Sequence, residues 1–196
     1  MRKLIVTEFA SLDGVMEAPG GEPGYRHAGW VINHPQDADQ GAYKLRETME
    51  ADAMLLGRVT YEGFAAAWPE RDGEFADKMN AMPKHVASTT LSDPLEWENS
   101  QLLSGDVPAA VAALKKEPGG DILVHGSRTL VHALLEHGLI DEIRVMTFPL
   151  VLGSGRRLFP SDLQDTVPLE LADTQVFGSG VVLHAYTPGP GRLSTD

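Results

Sequence analysis

The chain has 196 residues, 42% of them hydrophobic and 22% charged, which is the composition of a folded globular domain able to bury a sizeable core. Its 16 Lys and Arg stand against 28 Asp and Glu, a formal net charge of −12, which argues against a nucleic-acid partner because a phosphate backbone requires a basic face. The absence of Cys excludes disulfides, thiolate metal sites and a cysteine nucleophile.

The N-terminal Met1-Arg-Lys-Leu-Ile-Val-Thr opens straight into a strand pattern rather than a secretory leader, and no apolar run reaches the length of a membrane span. A cytoplasmic protein with no membrane partner is expected. Lys3 to Phe9 reads as a strand rich in β-branched residues. Ala10-Ser-Leu-Asp-Gly-Val-Met16 then leads into a long loop punctuated by Pro19, Gly20, Gly21, Pro23 and Gly24, and loops of this kind are more often functional than accidental. Asp13-Gly14 makes a good turn pair, with the Asp side chain bonding nearby backbone and Gly taking positive φ. Pro35 and Asp37 suit the start of a helix from Asp37 to Ala51, in which Ala42, Leu45 and Met49 form the expected buried stripe.

Ala53 to Leu56 is a continuous apolar run, short enough for a buried strand, and Gly57 punctuates it before Arg58, Thr60 and Tyr61 open a helix towards Trp68. A strand that turns into a helix at a Gly leaves the first helical N–H groups unpaired at the positive end of the helix dipole, a natural seat for a phosphate. Gly57 lets the backbone come close, Arg58 can fork onto phosphate oxygens, and the Thr60 hydroxyl can donate. The same residues also read as an ordinary strand–turn–helix with a solvated Arg. Asp72 to Met82 is a short polar helix or lid, and Lys84 to Leu91 a second interior strand ending in hydroxyl residues, on which His85 is a half-exposed position. Leu91 to Gln101 reads as irregular, with Asp93-Pro94 a turn, and Val107 to Lys116 as a helix stopped by Pro118-Gly-Gly120. Asp121-Ile-Leu-Val-His-Gly-Ser-Arg-Thr-Leu130 repeats the strand–Gly–helix arrangement: the strand breaks at Gly126, and Ser127 is placed to cap a helix from Arg128 to His137. Gly138 ends that helix, Ile143 to Phe148 is a strand, and Val167 to Ala172, Thr174 to Phe177 and Val181 to Tyr186 are closing strands, the last two joined by a hairpin turn at Phe177-Gly-Ser-Gly-Val181. Strands alternating with helices and a closing hairpin predict an α/β fold with a mainly parallel sheet and an antiparallel edge. One domain over residues 1–187 and a frayed tail over 188–196 are expected. The seven His have no metal-ligand spacing, so no metal site is expected.

Leu-Leu-Gly-Arg-x-Thr-Tyr-Glu resembles the Gly-Arg-x-Thr cofactor motif of the dihydrofolate reductase superfamily, more closely its bacterial branch related to the riboflavin-biosynthesis reductase domain. Ser-Leu-Asp-Gly after the first strand, the Gly-Ser-x-x-Leu turn at Gly126, and Leu-Ile-Asp-Glu followed by Pro-x-x-Leu-Gly-x-Gly recur in that family in the same order, so the resemblance spans roughly residues 2 to 186. It implies a dihydrofolate reductase-like fold with helices on both faces of the sheet. It also implies a nicotinamide cofactor, NADPH, whose hydride passes to a small planar or heterocyclic substrate. The cofactor residues so implied are Leu12, Gly14, Gly57, Arg58, Thr60, Ser88, Thr89, Gly126, Ser127, Arg128 and Leu130. Thr89 stands where the family commonly has Arg, which removes one fork for a 2′-phosphate and weakens the preference over NADH. Asp13, or a water it positions, is the candidate proton donor, and Asp13 is also a turn residue; Asp39 falls near the acidic residue that holds the pterin in dihydrofolate reductases, although it also suits a first helical turn. A homodimer is implied by the family, with the strands around Ile143 to Leu152 as an apolar surface. Two other classes stay open: a dinucleotide-binding module without turnover, and a small-molecule binding protein that takes no nicotinamide.

Overall fold

The structure, a computed structural model, describes residues 1–161 and 166–190; the last residues of the expected tail, from 191 onward, lie outside the described residues. In chain order the elements are β1 (Leu4–Ser11), α1 (Ala38–Glu50), β2 (Ala53–Gly57), α2 (Arg58–Ala67), α3 (Glu74–Ala81), β3 (Lys84–Ala87) and β4 (Ser100–Leu103). They continue with α4 (Val107–Leu114), β5 (Ile122–Val124), α5 (Arg128–Glu136), β6 (Glu142–Phe148), β7 (Leu169–Val176) and β8 (Val182–Pro188). The strands form one sheet of order β4-β3-β2-β5-β1-β6-β8-β7, parallel from β4 to β6 and antiparallel through β8 and β7. This is the α/β architecture the alternation of strand and helix patterns predicts.

The two faces of the sheet follow from the period-2 alternation of side chains along the strands. Leu4, Val6 and Ala10 of β1, with Leu55 and Val124, pack against Val111 and Leu114 of α4 and Leu130, Val131 and Leu134 of α5. Ile5, Met54, Leu56 and Leu123 face the other way, onto Tyr61 of α2 and Met79 of α3. A third cluster joins Trp30, Met146, Phe148, Phe177 and Leu183 under the hairpin end of the sheet. The loop from 12 to 37 is pinned over the ends of β1 and β6: Tyr25 Oη donates to the Ser154 carbonyl at 2.6 Å, and Val15 bridges Arg157. Gly155, at φ +112°, is required there because a Cβ would come within 2.7 Å of Val15.

Several expectations are corrected. The buried stripe of α1 is not Ala42, Leu45 and Met49, of which Ala42 and Met49 are exposed; the inward positions are Gln40, Glu47 and Thr48, with Lys44 beside them. β3 stops at Ala87 rather than Leu91, because the Ser88 hydroxyl accepts from the Thr90 and Leu91 N–H groups and turns the chain. The stretch read as irregular ends in β4, a parallel edge strand whose Ser100 pairs with Lys84. The two closing strands expected before the hairpin are one strand, β7, with a register shift between Leu171 and Asp173. β6 is an interior strand of the sheet: Ile143, Met146 and Phe148 are buried in the chain's own core, and Val151 beyond them is exposed. Among the described residues no helix is long and apolar enough to cross a membrane, and no group of His and carboxylate side chains is arranged to hold a metal.

Candidate functional site

The two strand–Gly–helix motifs meet at the carboxyl ends of neighbouring strands. β2 and β5 pair in parallel, and the Gly57 N–H donates to the Gly126 carbonyl at 2.9 Å. The approach is close: a Cβ on Gly57 would lie 2.8 Å from the Ser127 amide nitrogen and closer still to its hydroxyl oxygen. Gly126 sits at φ +91°, and a Cβ there would lie 3.0 Å from Thr60 Oγ1 and 3.4 Å from Glu8 Oε1. The Gly126–Ser127 peptide is cis. α1 and α4 are capped by Asp37 and Asp106, whereas α2 and α5 start at Gly57 and Ser127 with no side-chain cap. Ser127 therefore holds the N-cap position without performing the capping expected of it, and two sets of orphan N–H donors open side by side at the sheet edge.

The other expected site residues divide. Arg58 is exposed, and its guanidinium Nη1 lies 2.9 Å from Glu62 Oε2, one turn along α2, so part of its fork is already engaged. Ser88 is spent on its own turn, and Thr89 beside it is exposed. Arg128 Nε donates to the Arg157 carbonyl at 3.0 Å, tying α5 to the late loop, while Leu130 is a core residue. Leu12 is 68% exposed and its N–H donates to the Leu150 carbonyl; Gly14 has the positive φ expected of the turn. Asp39 is exposed on the first turn of α1.

Asp13 is held between two loops. Its carboxylate accepts from Ser11 Oγ at 2.7 Å, Leu152 N at 3.1 Å and Gly153 N at 2.9 Å. The Ser11 hydrogen bond, aided by those from Leu152 and Gly153, holds its pKa down to about 2, so it is ionised at neutral pH and works as a latch between the two loops.

Two residues that the sequence did not single out lie at the junction. Glu8 belongs to the face of β1 that carries Leu4, Val6 and Ala10, and its Oε1 is sealed from solvent with no hydrogen-bond partner. Burial pushes its pKa up to about 8, against the opposing pull of Lys44. His125, just before Gly126, has a sealed and unpartnered Nε2 and stands 5.8 Å from the Phe64 ring. Burial and Lys44 lower its pKa to about 3, which leaves a neutral imidazole. On the α1 side Thr7 Oγ1 donates to Glu47 Oε2 at 2.9 Å and accepts from Lys44 Nζ at 2.8 Å, Lys44 also pairs with Glu47, and Arg144 Nη1 reaches Glu47 Oε1 at 3.1 Å. Burial by itself would raise Glu47, but Lys44, with help from Arg144, holds it at about 2. The signal for Glu8 was its parity: a carboxylate at the position where the strand's apolar face continues.

A mainly parallel sheet closed by an antiparallel hairpin, with glycine turns at the carboxyl ends of its central strands, defines a dihydrofolate reductase-like α/β protein. Residues 2–183 match the family described as RibD C-terminal domain, and the chain belongs to that family. It is 30% identical over 191 residues to the uncharacterized protein YyaP of Bacillus subtilis (strain 168), covering 94% of each chain. Among solved structures it is similar to a putative riboflavin biosynthesis protein from Shewanella sp. PV-4, with a TM-score of 0.75 at 22% identity, covering 95% of this chain and 99% of that one. It also shares the fold of dihydrofolate reductase from Enterococcus faecalis, solved with NADP(H) and RAB-propyl, with a TM-score of 0.61 at 15% identity and coverage of 95% and 96%.

Proposed function

We propose that this chain is an NAD(P)H-dependent reductase that transfers hydride to a small planar or heterocyclic substrate. The observation that carries the reading is the junction of Gly57 with Gly126 and Ser127, where two uncapped helix starts stand together and the backbones approach too closely for a side chain at Gly57. Those features fit a pyrophosphate-bearing ligand: paired sets of N–H donors at positive helix ends suit two phosphates better than one. Arg58 and the Thr60 hydroxyl stand at the rim, and the Ser88–Thr89 turn is the adenosine-side candidate, where Thr89 leaves only a modest preference for a 2′-phosphate. When bound, a reduced nicotinamide dinucleotide supplies two electrons and one hydrogen as hydride. The chain itself positions: its backbone donors orient the ligand, and the loop latched by Asp13 covers the sheet edge. The reading includes a small-molecule substrate, cytoplasmic location and a homodimer.

The test is thermal unfolding with NADPH and with NADH at matched concentration. At about 100-fold excess over Kd, mass action adds about 2.7 kcal/mol. For a chain of this size that is a rise in Tm of roughly 5–11 °C. NADPH should give the larger shift, equal shifts would remove the 2′-phosphate preference, and no shift from either dinucleotide would overturn the reading.

A further inference from the structure

We propose that the open face of β7 and β8 is an interface on which a second copy of this chain docks, hairpin against hairpin about a two-fold axis. Direct pairing puts Leu171 beside Tyr186 and Ile143, Thr174 beside His184 and Val145, and Val176 beside Val182 and Thr147. Paired residues share a face of the sheet, so these rows lie on the side that Ile143 and Val145 present to the α5 core. That core takes in Ile143 and Val145 of β6, but no hydrophobic cluster among the described residues takes in the six side chains that continue the rows on β8 and β7. On the other face of β8, Leu183 and Ala185 are buried. On the open face Leu171 is 57% and Val176 73% exposed, and the His184 and Tyr186 rings stack with centroids 6.1 Å apart. A hairpin that buries one face and leaves apolar side chains on the other calls for a second layer.

Charge selects the occupant. The chain carries a net −12, so two copies repel over most of their surfaces. The open face holds no Asp, Glu, Lys or Arg, whereas Glu170 and Asp173, the acidic residues of β7, pair with Thr187 and Ala185 and so lie on the opposite face. A two-fold interface brings a patch against its own image, which a charged patch opposes and an uncharged apolar one favours. A basic partner would need acidic side chains to meet it, and this face offers none. Two such faces stack as the sheets of a sandwich do, with Leu171, Val176 and Val182 interdigitating. Six side chains fall short of the about 800 Å² per partner of tight complexes, so the pairing depends on concentration over the micromolar range. The inference gives the homodimer of the reductase reading its surface, and it takes nothing from the hydride chemistry.

Sedimentation equilibrium of the full chain across the micromolar range should show a mass that rises from 21.2 kDa towards twice that value. Leu171→Lys combined with Val176→Lys sets like charges against each other across the two-fold axis and should hold the mass at 21.2 kDa throughout. Both positions are already exposed on an edge strand, so the far-UV circular dichroism of this variant should match the wild type. Val176→Thr, which keeps the shape and suits a strand, should weaken association several-fold without adding charge. Glu170→Lys, on the opposite face, should leave the dimer intact. A wild type that stays at 21.2 kDa, or a folded double-lysine variant that still pairs, overturns the proposal. So does an E170K variant that dissociates as fully as the double-lysine one, because the contact would then lie on the strand edge or the other face. A chain ending at Pro190 that pairs where the full chain does not overturns it in favour of residues 191–196 as the occupant. NADPH-dependent melting of the same samples separates the two claims. A dimer with no dinucleotide shift removes the reductase reading alone, and a monomer that shifts with NADPH removes the interface alone.

Discussion

The junction can be tested by filling it. Gly57 has φ −78° and ψ 159°, a conformation open to any residue, so Gly57→Ala carries no backbone strain of its own and its effect reports contact alone. The added Cβ would lie 3.0 Å from Ser127 Cβ and 2.8 Å from the Ser127 amide nitrogen. The Ser127 hydroxyl can swing to another rotamer, but the amide nitrogen belongs to the backbone that sets α5 against β2 and cannot move alone. Overpacking of this kind costs about 1–3 kcal/mol. In a chain of this length that lowers Tm by roughly 2–12 °C. Differential scanning calorimetry of G57A, S127A and the double variant separates the two contacts. S127A removes the hydroxyl oxygen and should restore part of the lost stability, while the contact with the amide nitrogen persists. Dinucleotide binding should fail in G57A even well below its Tm, because relief of the contact pushes the two helix starts apart. A G57A protein with wild-type Tm and wild-type binding would refute the claim that the close approach is what the site requires.

The polar face of α1 gives a second test. Glu47→Gln should cost about 3–5 kcal/mol at pH 7 by urea unfolding, since it leaves Lys44 and Arg144 beside Thr7 without their shared carboxylate. The folded pKa of Glu47 lies below its ordinary value of 4.5, so the stabilisation is complete above that pH and is lost as pH falls towards 2. The gap between wild type and variant should accordingly close in acid, and a gap that stays constant down to pH 2 would show that the carboxylate charge is not what matters. Arg58→Ala should leave the ligand-free Tm within about a degree, because exposed i,i+4 ion pairs contribute only about 0.3–0.5 kcal/mol. It should weaken NADPH binding by roughly 1.5–3 kcal/mol in calorimetric titration, the scale of a hydrogen bond to a charged group. Unfolding of the variant would instead make Arg58 a structural residue.

The parts of the molecule legible in the sequence are those where local chemistry and fold agree. Ala53 to Gly57 and Ile122 to Gly126 announce themselves because an apolar run, a glycine and a helix start leave few other conformations. Asp37 and Phe177-Gly-Ser-Gly-Val181 were legible for the same reason, as a cap with its helix and a turn with its hairpin. β4 was not, since Ser100-Gln-Leu-Leu103 has no turn signature and is a strand only because β3 offers it a parallel edge. The inward face of α1 was missed because a search for an apolar stripe passes over Lys44 and Glu47, which are tolerable inside only with Thr7 and Arg144 in place, and those partners come from β1 and β6. Glu8 and His125 stayed hidden for a related reason: on an apolar strand, one polar residue reads as tolerance until the neighbouring strand shows what it faces.

The buried polar groups of this fold differ in whether the chain satisfies them. Lys84 is almost wholly buried, yet its Nζ donates to the carbonyls of Asn80 at 2.7 Å, Met82 at 2.8 Å and Glu98 at 2.9 Å, and it stands 4.3 Å from the Trp97 ring centroid. Lys115 is likewise closed by the Leu139 carbonyl and Asp141, both at 2.6 Å. Lys84 fastens α3 to β3, and Lys115 ties the end of α4 to the segment between α5 and β6; with their donors engaged they offer nothing to a ligand. Among the described residues four sealed side-chain atoms lack partners. Two of them, His85 Nδ1 and Ser100 Oγ, sit on the outer strands β3 and β4. The other two, Glu8 Oε1 and His125 Nε2, are on the central strand β1 and at the end of its neighbour β5, at Gly126. An unmet hydrogen bond costs about 1–3 kcal/mol, and the same chain provides three carbonyls for a single lysine elsewhere. Leaving two such groups unmet where uncapped helix starts converge is the pattern of a site that sacrifices stability to hold polar atoms ready.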